Sequence, residues 1–360
     1  MRISFILSSI GLSGGVRVVV EFANRLAARG HECFLIAPKG QVEPEMLEEV
    51  LPEVGTRLSR IEPGDRPSAL RNFLLSWSLA IRVPPSEVIV STHTPTTIAT
   101  LVASRLLRRG KPVWLYQDYL EMFLDRPVEN WLLRHALAWH DRALTVSEYS
   151  KQELGSFAQG DIMVVGEGLS HPELFQPLPE AERRRDNNHR TLLYVGDLRP
   201  RKGIYDFLKA TEILAEEMPD LVLWIVTKDE DEIQSAVPFQ LFHRPPRKKL
   251  ARLYASCDVF VSASWWESFG LPPIEAMACG APVVTTDSRG VQEYARPEWN
   301  CLVTPPRDPA KLAAAIRRIL SDPELEGRLR QNGPPTAGQY TWEGAVNRFE
   351  QAIADSFQDA

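Results

Sequence analysis

The segment Glu267-Ser-Phe-Gly-Leu-Pro-Pro-Ile-Glu275 decides the fold of this chain. It follows the apolar run Asp258-Val-Phe-Val-Ser262, which is typical of a buried strand. It precedes Ala276-Met-Ala-Cys-Gly280, a helical run closed by glycine, and a second apolar run, Pro282-Val-Val-Thr-Thr286. Strand, loop, helix and strand form one βαβ unit, and ligands bind where such loops leave the carboxyl ends of parallel strands.

Two glutamates flank the start of the predicted helix. Two prolines after Leu271 suit the first helical positions, where a missing N–H costs nothing, so we expect the helix to begin at about Leu271. Its free N–H groups favour an anionic or electron-rich ligand, and Gly270 lets that ligand approach the backbone closely. We place Glu275 in the first turn and Glu267 at the strand end, where both can face one polyhydroxylated ligand.

Each glutamate also has a purely structural interpretation. A Glu in a first turn complements the helix dipole, and a Glu beside Trp265 and Trp266 can be a solvated loop charge. The whole string is far more specific than either glutamate alone.

The string from Trp266 to Val284 resembles the E-x7-E signature of retaining glycosyltransferases of family 4, which have the GT-B fold. The segments Gly290–Tyr294 and Asn300–Ala310 also resemble that family. The resemblance implies that Glu275 accepts hydrogen bonds from the ribose hydroxyls of a nucleotide-sugar donor. It further implies that Glu267 and the backbone of the next residues, Ser268, Phe269, Gly270 and Leu271, hold the donor sugar.

The chain has 360 residues, enough for two domains that each bury a core. Short apolar runs alternate with amphipathic helical segments, which predicts an α/β protein of two Rossmann-like parallel-sheet domains facing a cleft. We expect an acceptor-side domain over 1–175, a polar linker over 176–190 and a nucleotide-sugar domain over 191–340. A terminal helix within 341–360 crosses back to the first domain in the resembled family.

Composition excludes some classes of function. The net charge of −6 argues against a nucleic-acid partner. Four cysteines are scattered without metal-ligand spacing, which predicts reduced core residues in a cytoplasmic protein: Cys33, Cys257, Cys279 and Cys301. We expect neither a metal nor another cofactor.

The loop Gly196-Asp-Leu-Arg-Pro-Arg-Lys-Gly203 follows a predicted strand and opens a helix. Its cations and the helix N-terminus suit a diphosphate, although such a string is also common in basic surface turns. In the resembled family an Arg and a Lys of this loop bind the donor phosphates. Lys202 matches that pattern, whereas Asp197 stands where the Arg is expected. Either Arg199 or Arg201 can supply the missing charge, and we favour Arg199.

The first domain offers candidates at three strand ends. The turn at Gly14 and Gly15 opens a helix, and in the resembled family it approaches the diphosphate and the acceptor. His93 follows the run Val88–Ser91, and the family places a His that touches the donor sugar at the end of a matching strand. Gln117 and Asp118 end the next strand and are assigned to the acceptor side. For each group, a tight turn or local hydrogen bonding is the structural alternative.

Two further segments leave alternatives open. Thr227–Glu232 replaces the Gly-rich turn of many family members, so the nucleotide base is undetermined. Arg105–Lys111 ends an apolar helix; its cations either complement the helix C-terminus or form a dock for anionic lipid. Peripheral contact with the inner face of a membrane is therefore one possibility.

We predict a retaining transferase that moves a hexose-type sugar from a nucleoside-diphosphate sugar to a hydroxyl of a glycan, lipid-linked or small-molecule acceptor. His93, Glu267, Lys202 and Arg199 are the predicted catalytic residues. No convincing nucleophilic carboxylate is apparent, which favours same-face attack assisted by the leaving phosphate. Two rivals are a GT-B nucleotide-sugar 2-epimerase and a non-catalytic sugar-nucleotide-binding scaffold.

Overall fold

The computed structural model describes residues 1–62, 69–179, 182, 189–229 and 233–355. The chain divides into two compact units: Met1–Gly168 with the C-terminal segment that starts at Trp342, and Leu169–Thr341. The units meet in sequence at Gly168, earlier than the expected boundary at residue 175. Most of the predicted linker, residues 180, 181 and 183–188, lies outside the described residues.

The first unit contains a parallel sheet of seven strands in the order β3-β2-β1-β4-β5-β6-β7. Its interior strands are apolar and buried, as expected for a sheet covered on both faces. The strands are β1 (Arg2–Ile6), β2 (Glu32–Pro38), β3 (Gly55–Ser59), β4 (Val88–Ser91), β5 (Lys111–Tyr116), β6 (Arg142–Thr145) and β7 (Ile162–Val164).

Helices connect these strands in turn. They are α1 (Gly14–Ala28), α2 (Pro44–Leu47), α3 (Ala69–Ala80), α4 (Thr97–Leu101), α5 (Pro127–His135) and α6 (Glu148–Phe157). A π-helical segment, Val102–Leu106, continues α4. Ser13 caps α1, since its side chain accepts a hydrogen bond from the N–H of Val16 at 3.3 Å.

The second unit contains a parallel sheet of six strands in the order β10-β9-β8-β11-β12-β13. The strands are β8 (Arg190–Val195), β9 (Leu221–Thr227), β10 (Phe239–His243), β11 (Val259–Ser262), β12 (Val283–Thr286) and β13 (Leu302–Thr304). The helices are α7 (Ile204–Ala215), α8 (Arg247–Ser256), α9 (Leu271–Ala278), α10 (Pro309–Ser321) and α11 (Pro323–Ala337). Two Rossmann-like parallel-sheet units confirm the predicted α/β fold class.

The last helix, α12 (Trp342–Asp355), belongs to the first unit. Trp342 packs edge-on against Phe22 of α1 with ring centroids 5.1 Å apart, and Phe349 lies 4.9 Å from the same ring. Arg29, the residue that follows α1, pairs with Glu350 of α12. A buried aromatic contact and an ion pair thus attach the end of the described chain to its first helix.

Two further properties concern the cysteines and the helices of the described residues. All four cysteines are buried, and none forms a disulfide within the described residues. Among the described helices, none combines the length and apolarity needed to cross a bilayer.

Candidate active site

In the second unit, β8 and β11 are neighbours, so the loops that follow them meet. The N–H of Trp265 donates to the carbonyl of Arg201 at 2.7 Å. Gly203 has φ of +69°, and a Cβ there would lie 1.9 Å from the carbonyl oxygen of Ala263. Only glycine fits at this approach, which fixes the loop Gly196–Gly203 against the residues after β11.

This approach brings two cations to Glu267. Lys202 Nζ lies 2.6 Å from Glu267 Oε1, and Arg201 Nη1 lies 3.5 Å from Oε2. All three side chains are largely buried, with 15–18% of each exposed. Burial by itself raises the pKa of Glu267, but Lys202 and Arg201 outweigh that effect and hold the pKa below its usual range. The carboxylate is therefore ionised and orients both cations.

Arg199, which the sequence favoured as the second phosphate-binding cation beside Lys202, makes a different contact in the structure. Its Nε donates to Asp197 Oδ1 at 2.8 Å. Asp197 stands where the family has an arginine, and it pairs here with Arg199, the residue that was expected to supply the missing charge. Burial raises the pKa of Asp197, and Arg199 outweighs it and lowers the pKa. Arg201, the alternative that the sequence left open, is the arginine beside Lys202 and Glu267.

The helix after Glu267 begins at Leu271, as predicted, and Gly270 before it has φ of +91°. The loop is held at its first residue, because Glu267 donates its N–H to the carbonyl of Ser288 and accepts at its own carbonyl from the N–H of Gly290, each at 2.9 Å. Phe269 is buried against Tyr294 and Tyr340, whereas Ser268 is partly exposed. The N–H of Leu271 is thereby held in a fixed orientation at the start of α9, where the next two residues are prolines without an N–H.

Glu275 lies in the second turn of α9, so its predicted position in the first turn is wrong. The helix begins at Leu271, which makes Glu275 its fifth residue. The hydroxyl of Tyr254 donates to Glu275 Oε2 at 3.0 Å, and burial raises the pKa of Tyr254 well above its usual value. This neutral donor fixes the carboxylate, and the sequence contained no signal for it because Tyr254 lies on α8.

In the first unit, His93 and Asp118 lie at the ends of the adjacent strands β4 and β5. His93 Nδ1 bonds Asp118 Oδ1, while Asp118 Oδ2 accepts from the N–H and the hydroxyl of Thr94 at 2.7 and 2.6 Å. Burial lowers the pKa of His93, but Asp118 outweighs it and raises that pKa. Because Asp118 occupies Nδ1, Nε2 is the ring nitrogen left to face a ligand.

Gln117 lies beside the N-terminus of α1. Its Nε2 donates to the carbonyl of Thr92 at 3.0 Å, and its Oε1 is buried without a hydrogen-bond partner among the described residues. A Cβ on Gly15 would lie 3.2 Å from that oxygen, whereas a Cβ on Gly14 would meet nothing within 4 Å. The structure thus places His93, Asp118, Gln117 and Gly15 at one edge of the first sheet.

Two aromatic side chains lie next in the chain to Glu267, which pairs with Lys202 and Arg201. Arg307 stacks over Trp265 and Trp266, with its Cζ 4.0 and 4.8 Å from the ring centroids.

Within the described part of the chain, no group of three or more His, Cys, Asp or Glu side chains is arranged to hold a metal ion.

Comparison with known protein families identifies the class of protein to which the chain belongs. The model of glycosyl transferases group 1 matches residues 179–335, and the model of glycosyltransferase family 4 matches residues 12–173. The chain therefore belongs to the family 4 glycosyltransferases of GT-B fold, as the E-x7-E segment predicted.

One similar protein is the D-inositol 3-phosphate glycosyltransferase of Thermobispora bispora, 26% identical over 97% of this chain and 91% of that protein. Among solved structures, the sucrose-phosphate synthase of Thermosynechococcus elongatus superposes with a TM-score of 0.84, at 21% identity and full coverage of both chains. HepE of Anabaena in complex with UDP-glucose gives 0.79, at 19% identity, again over both whole chains. The chain is thus an enzyme that transfers glycosyl groups.

Proposed function

We propose that the enzyme transfers a hexose-type sugar from a nucleoside-diphosphate sugar to an acceptor hydroxyl with retention at the anomeric carbon. The observation that carries this proposal is the pairing of Lys202 and Arg201 with one ionised, largely buried carboxylate, Glu267. Two oriented cations beside a helix N-terminus suit a diphosphate whose charge grows as it leaves. The solved complexes of HepE with UDP and UDP-glucose support this class of donor.

Each residue then has a proposed role. Lys202 and Arg201 stabilise the departing phosphate, Arg199 screens Asp197, and Glu275 accepts hydrogen bonds from the ribose hydroxyls. The backbone N–H groups of Phe269, Gly270 and Leu271, with Glu267, hold the sugar. His93 donates from Nε2 to the sugar, since Asp118 fixes its other ring nitrogen.

The proposed reaction is same-face attack. The acceptor oxygen bonds the anomeric carbon, the bond from that carbon to the phosphate oxygen breaks, and the acceptor proton passes to the departing phosphate. Gln117 Oε1, buried and unpartnered among the described residues, is proposed to accept from an acceptor hydroxyl. A covalent glycosyl–enzyme detected without acceptor by intact mass spectrometry would contradict this mechanism.

The test begins with the nucleotide. UDP, GDP, dTDP and ADP, each also as a sugar conjugate, are added without metal while the melting temperature is recorded. A ligand that binds only the folded state raises that temperature, and we expect one nucleotide to stand out. Turnover is then measured as release of that nucleotide, and the product anomer is read from its NMR coupling constant. An inverted anomer would contradict retention.

The pairing of Arg199 with Asp197 favours one second candidate, a scaffold that binds sugar nucleotide without turnover. This pairing removes one of the three loop cations from the phosphates. Nucleotide binding without nucleotide release from any donor would support that candidate. Epimerised free sugar formed without acceptor would instead indicate a 2-epimerase.

A further inference from the structure

Two buried oxygens of the first unit, Glu43 Oε2 and Gln117 Oε1, have no hydrogen-bond donor among the described residues. A buried acceptor that no group satisfies costs free energy, so native chains retain such atoms where water or a ligand supplies the donor. Each side chain as a whole is partly exposed, which lets a molecule from solvent reach it. The two oxygens therefore indicate a position that receives hydrogen-bond donors from outside the chain.

The two side chains lie against the turn that joins β1 to α1, one at each end of it. A Cβ on Gly11 would lie 3.0 Å from Glu43 Oε1, and a Cβ on Gly15 would lie 3.2 Å from Gln117 Oε1. Ile10 accepts at its carbonyl from the N–H of Glu43 at 2.8 Å, which holds the loop after β2 against this turn. Both positions next to the turn are thus fixed by the backbone.

The amide of Gln117 can adopt only one of its two orientations here. Its Nε2 donates to the carbonyl of Thr92 at 3.0 Å, and a carbonyl oxygen only accepts. The opposite orientation would place two acceptors together. Gln117 Oε1 is therefore held towards Gly15 and offers an acceptor rather than a donor.

The turn lies at the point where the strand order of the first sheet reverses. Strand β1 pairs with β2 on one side and with β4 on the other. Glu43 follows β2, and Gln117 follows β5, the strand beyond β4. In open parallel sheets, ligands bind outside the carboxyl ends of the strands at such a reversal.

Charge near this turn disfavours an anion. Residues 41–53 contain five Glu and neither Lys nor Arg. Glu62 lies against the loop after β2, since a Cβ on Gly40 would lie 3.0 Å from its Cδ. Arg17 of α1 already pairs with a glutamate of the segment 41–53. A neutral, hydroxyl-rich ligand suits the turn better, because a hydroxyl both donates to the two oxygens and accepts from the first N–H groups of α1.

We propose that this turn, with Glu43 and Gln117, binds the hydroxyl groups of a neutral polyol acceptor, such as a monosaccharide or a cyclitol. Glu43 would make the site select against an acceptor that places a phosphate or carboxylate there, since like charges repel. This inference rests on the proposed transfer reaction and narrows the kind of acceptor. It also adds Glu43, which the sequence did not single out, as a specificity-determining residue.

The first experiment is saturation-transfer difference NMR of the whole protein, with and without the nucleotide that the thermal panel identifies. The probes are D-glucose, D-mannose and myo-inositol, each compared with a phosphate ester: glucose 6-phosphate, mannose 6-phosphate and inositol 3-phosphate. We expect at least one neutral probe to bind and its ester to bind about tenfold more weakly. If no neutral probe binds, or if every ester binds as tightly as its parent, the proposal is overturned.

A matched pair of variants tests Glu43 itself. Glu43→Gln keeps the shape of the side chain and removes its charge, so binding of the neutral probe should fall about tenfold. The difference between the probe and its ester should narrow in the same variant. Glu48→Gln is the control, because it removes an equal charge from an exposed residue of the same segment and should change neither quantity.

Melting temperatures separate binding from a structural role. Because the Glu43 carboxylate has no partner among the described residues, Glu43→Gln should leave the melting temperature unchanged or raise it. Should this variant fold poorly, Glu43→Asp keeps the charge but withdraws the oxygens, so polyol binding should fall while the esters stay disfavoured. If both variants bind the polyol like the unchanged protein, water satisfies Glu43 and the assignment is wrong.

Release of nucleotide from the donor by water, measured without acceptor, tests the transfer reaction separately. Donor turnover without polyol binding would contradict this acceptor site alone. Polyol binding without donor turnover would contradict the proposed transfer and leave the polyol site standing.

Discussion

Lys202 Nζ lies 2.6 Å from Glu267 Oε1, and this pair joins the loops that follow two neighbouring strands. Both side chains are largely buried, with 16% and 15% exposed. Such a pair holds a positive charge in a fixed position before any ligand arrives. Preorganised charge stabilises a transition state most where charge develops late, as on a departing diphosphate.

Replacing Lys202 by Met should therefore lower kcat more than it raises the donor KM. A loss of about 10²–10³-fold in kcat is typical when one preorganised donor is removed. Steady-state kinetics with the donor identified by the nucleotide panel measures both constants. Lys209→Met is the matched control, since Lys209 is an exposed lysine paired with Glu212.

The same substitution removes one of the two cations that pair with Glu267. We expect a loss of about 1–3 kcal/mol in the free energy of unfolding, and Glu267→Gln in the same chain should restore part of it. Urea titrations of the single and double variants measure this coupling. In the kinetic experiment on Lys202→Met, a change in KM without a change in kcat would contradict the leaving-group role of Lys202 and indicate ordinary ground-state binding.

Glu275→Gln should weaken nucleotide binding, because the ribose hydroxyls lose a charged acceptor. The loss should be about tenfold in Kd, as expected for a hydrogen bond to a charged group. Calorimetric titration measures the affinity. Tyr254→Phe is the control: it removes the donor 3.0 Å from Glu275 but keeps the carboxylate, so its effect should be smaller. Unchanged affinity in Glu275→Gln would remove this residue from the site.

Gly14→Ala separates folding from ligand approach. A Cβ on Gly14 meets nothing within 4 Å, so the melting temperature should stay within about 2 °C of the original value. If the diphosphate or acceptor approaches this turn, the added methyl should raise KM several-fold. Gly203→Ala is the opposite case, because its Cβ would lie 1.9 Å from the Ala263 carbonyl and should destabilise the fold. Full activity in Gly14→Ala would place the ligand elsewhere.

His140 should make stability depend on pH. It is buried, donates from Nδ1 to the carbonyl of Ala136 at 2.7 Å and accepts at Nε2 from Ser91. Burial lowers its pKa from 6.5 to about 4, so only the unfolded chain binds a proton between these values. Its stability contribution is thus present above about pH 6.5 and is lost towards about pH 4, by up to about 1.4 kcal/mol per pH unit.

Urea titrations across that interval measure the slope of the free energy of unfolding against pH. His140→Gln should reduce this slope, whereas His135→Gln, which replaces an exposed histidine of α5, should leave it unchanged. An identical slope in all three proteins would assign the acid sensitivity to other groups.

The four cysteines should be unreactive in the folded protein. All are buried, and burial raises the pKa of Cys33 and of Cys301 to about 12, so little thiolate is available. Ellman's reagent should titrate no thiol in buffer and four in guanidinium chloride. Rapid reaction of any thiol in the folded state would show that its packing opens on the timescale of the assay.

The sequence predicted which loops form the candidate site but not which side chains pair within it. The sequence identified the loops that carry Glu267, Lys202, His93 and Asp118 because each follows an apolar run. It assigned Arg199 to the phosphates, whereas the structure pairs Arg199 with Asp197 and places Arg201 at Glu267. Choosing between two cations in one loop depends on distances below 4 Å, which residue order does not specify.

Sequence by itself determined the parallel α/β architecture and the family. Interior strands such as β4, β11 and β12 are buried along their whole length and begin with runs of Val, Ile or Phe, as expected for strands covered on both faces. The edge strands β3, β10 and β13 were not predicted. Polar residues interrupt the apolar pattern in β3 and β10, and a partly solvated edge tolerates them.

Only the tertiary structure decided which side of each helix meets the core and which side chains meet across elements. Helix α3 is apolar on both sides, so periodicity alone left open that Phe73 and Trp77 face outwards while Leu79 is buried. Tyr254 reaches Glu275, and Lys202 reaches Glu267, only because strand order brings separate segments together. The order of the residues sets the hydrophobic period of each helix and strand, whereas packing determines which distant residues come into contact.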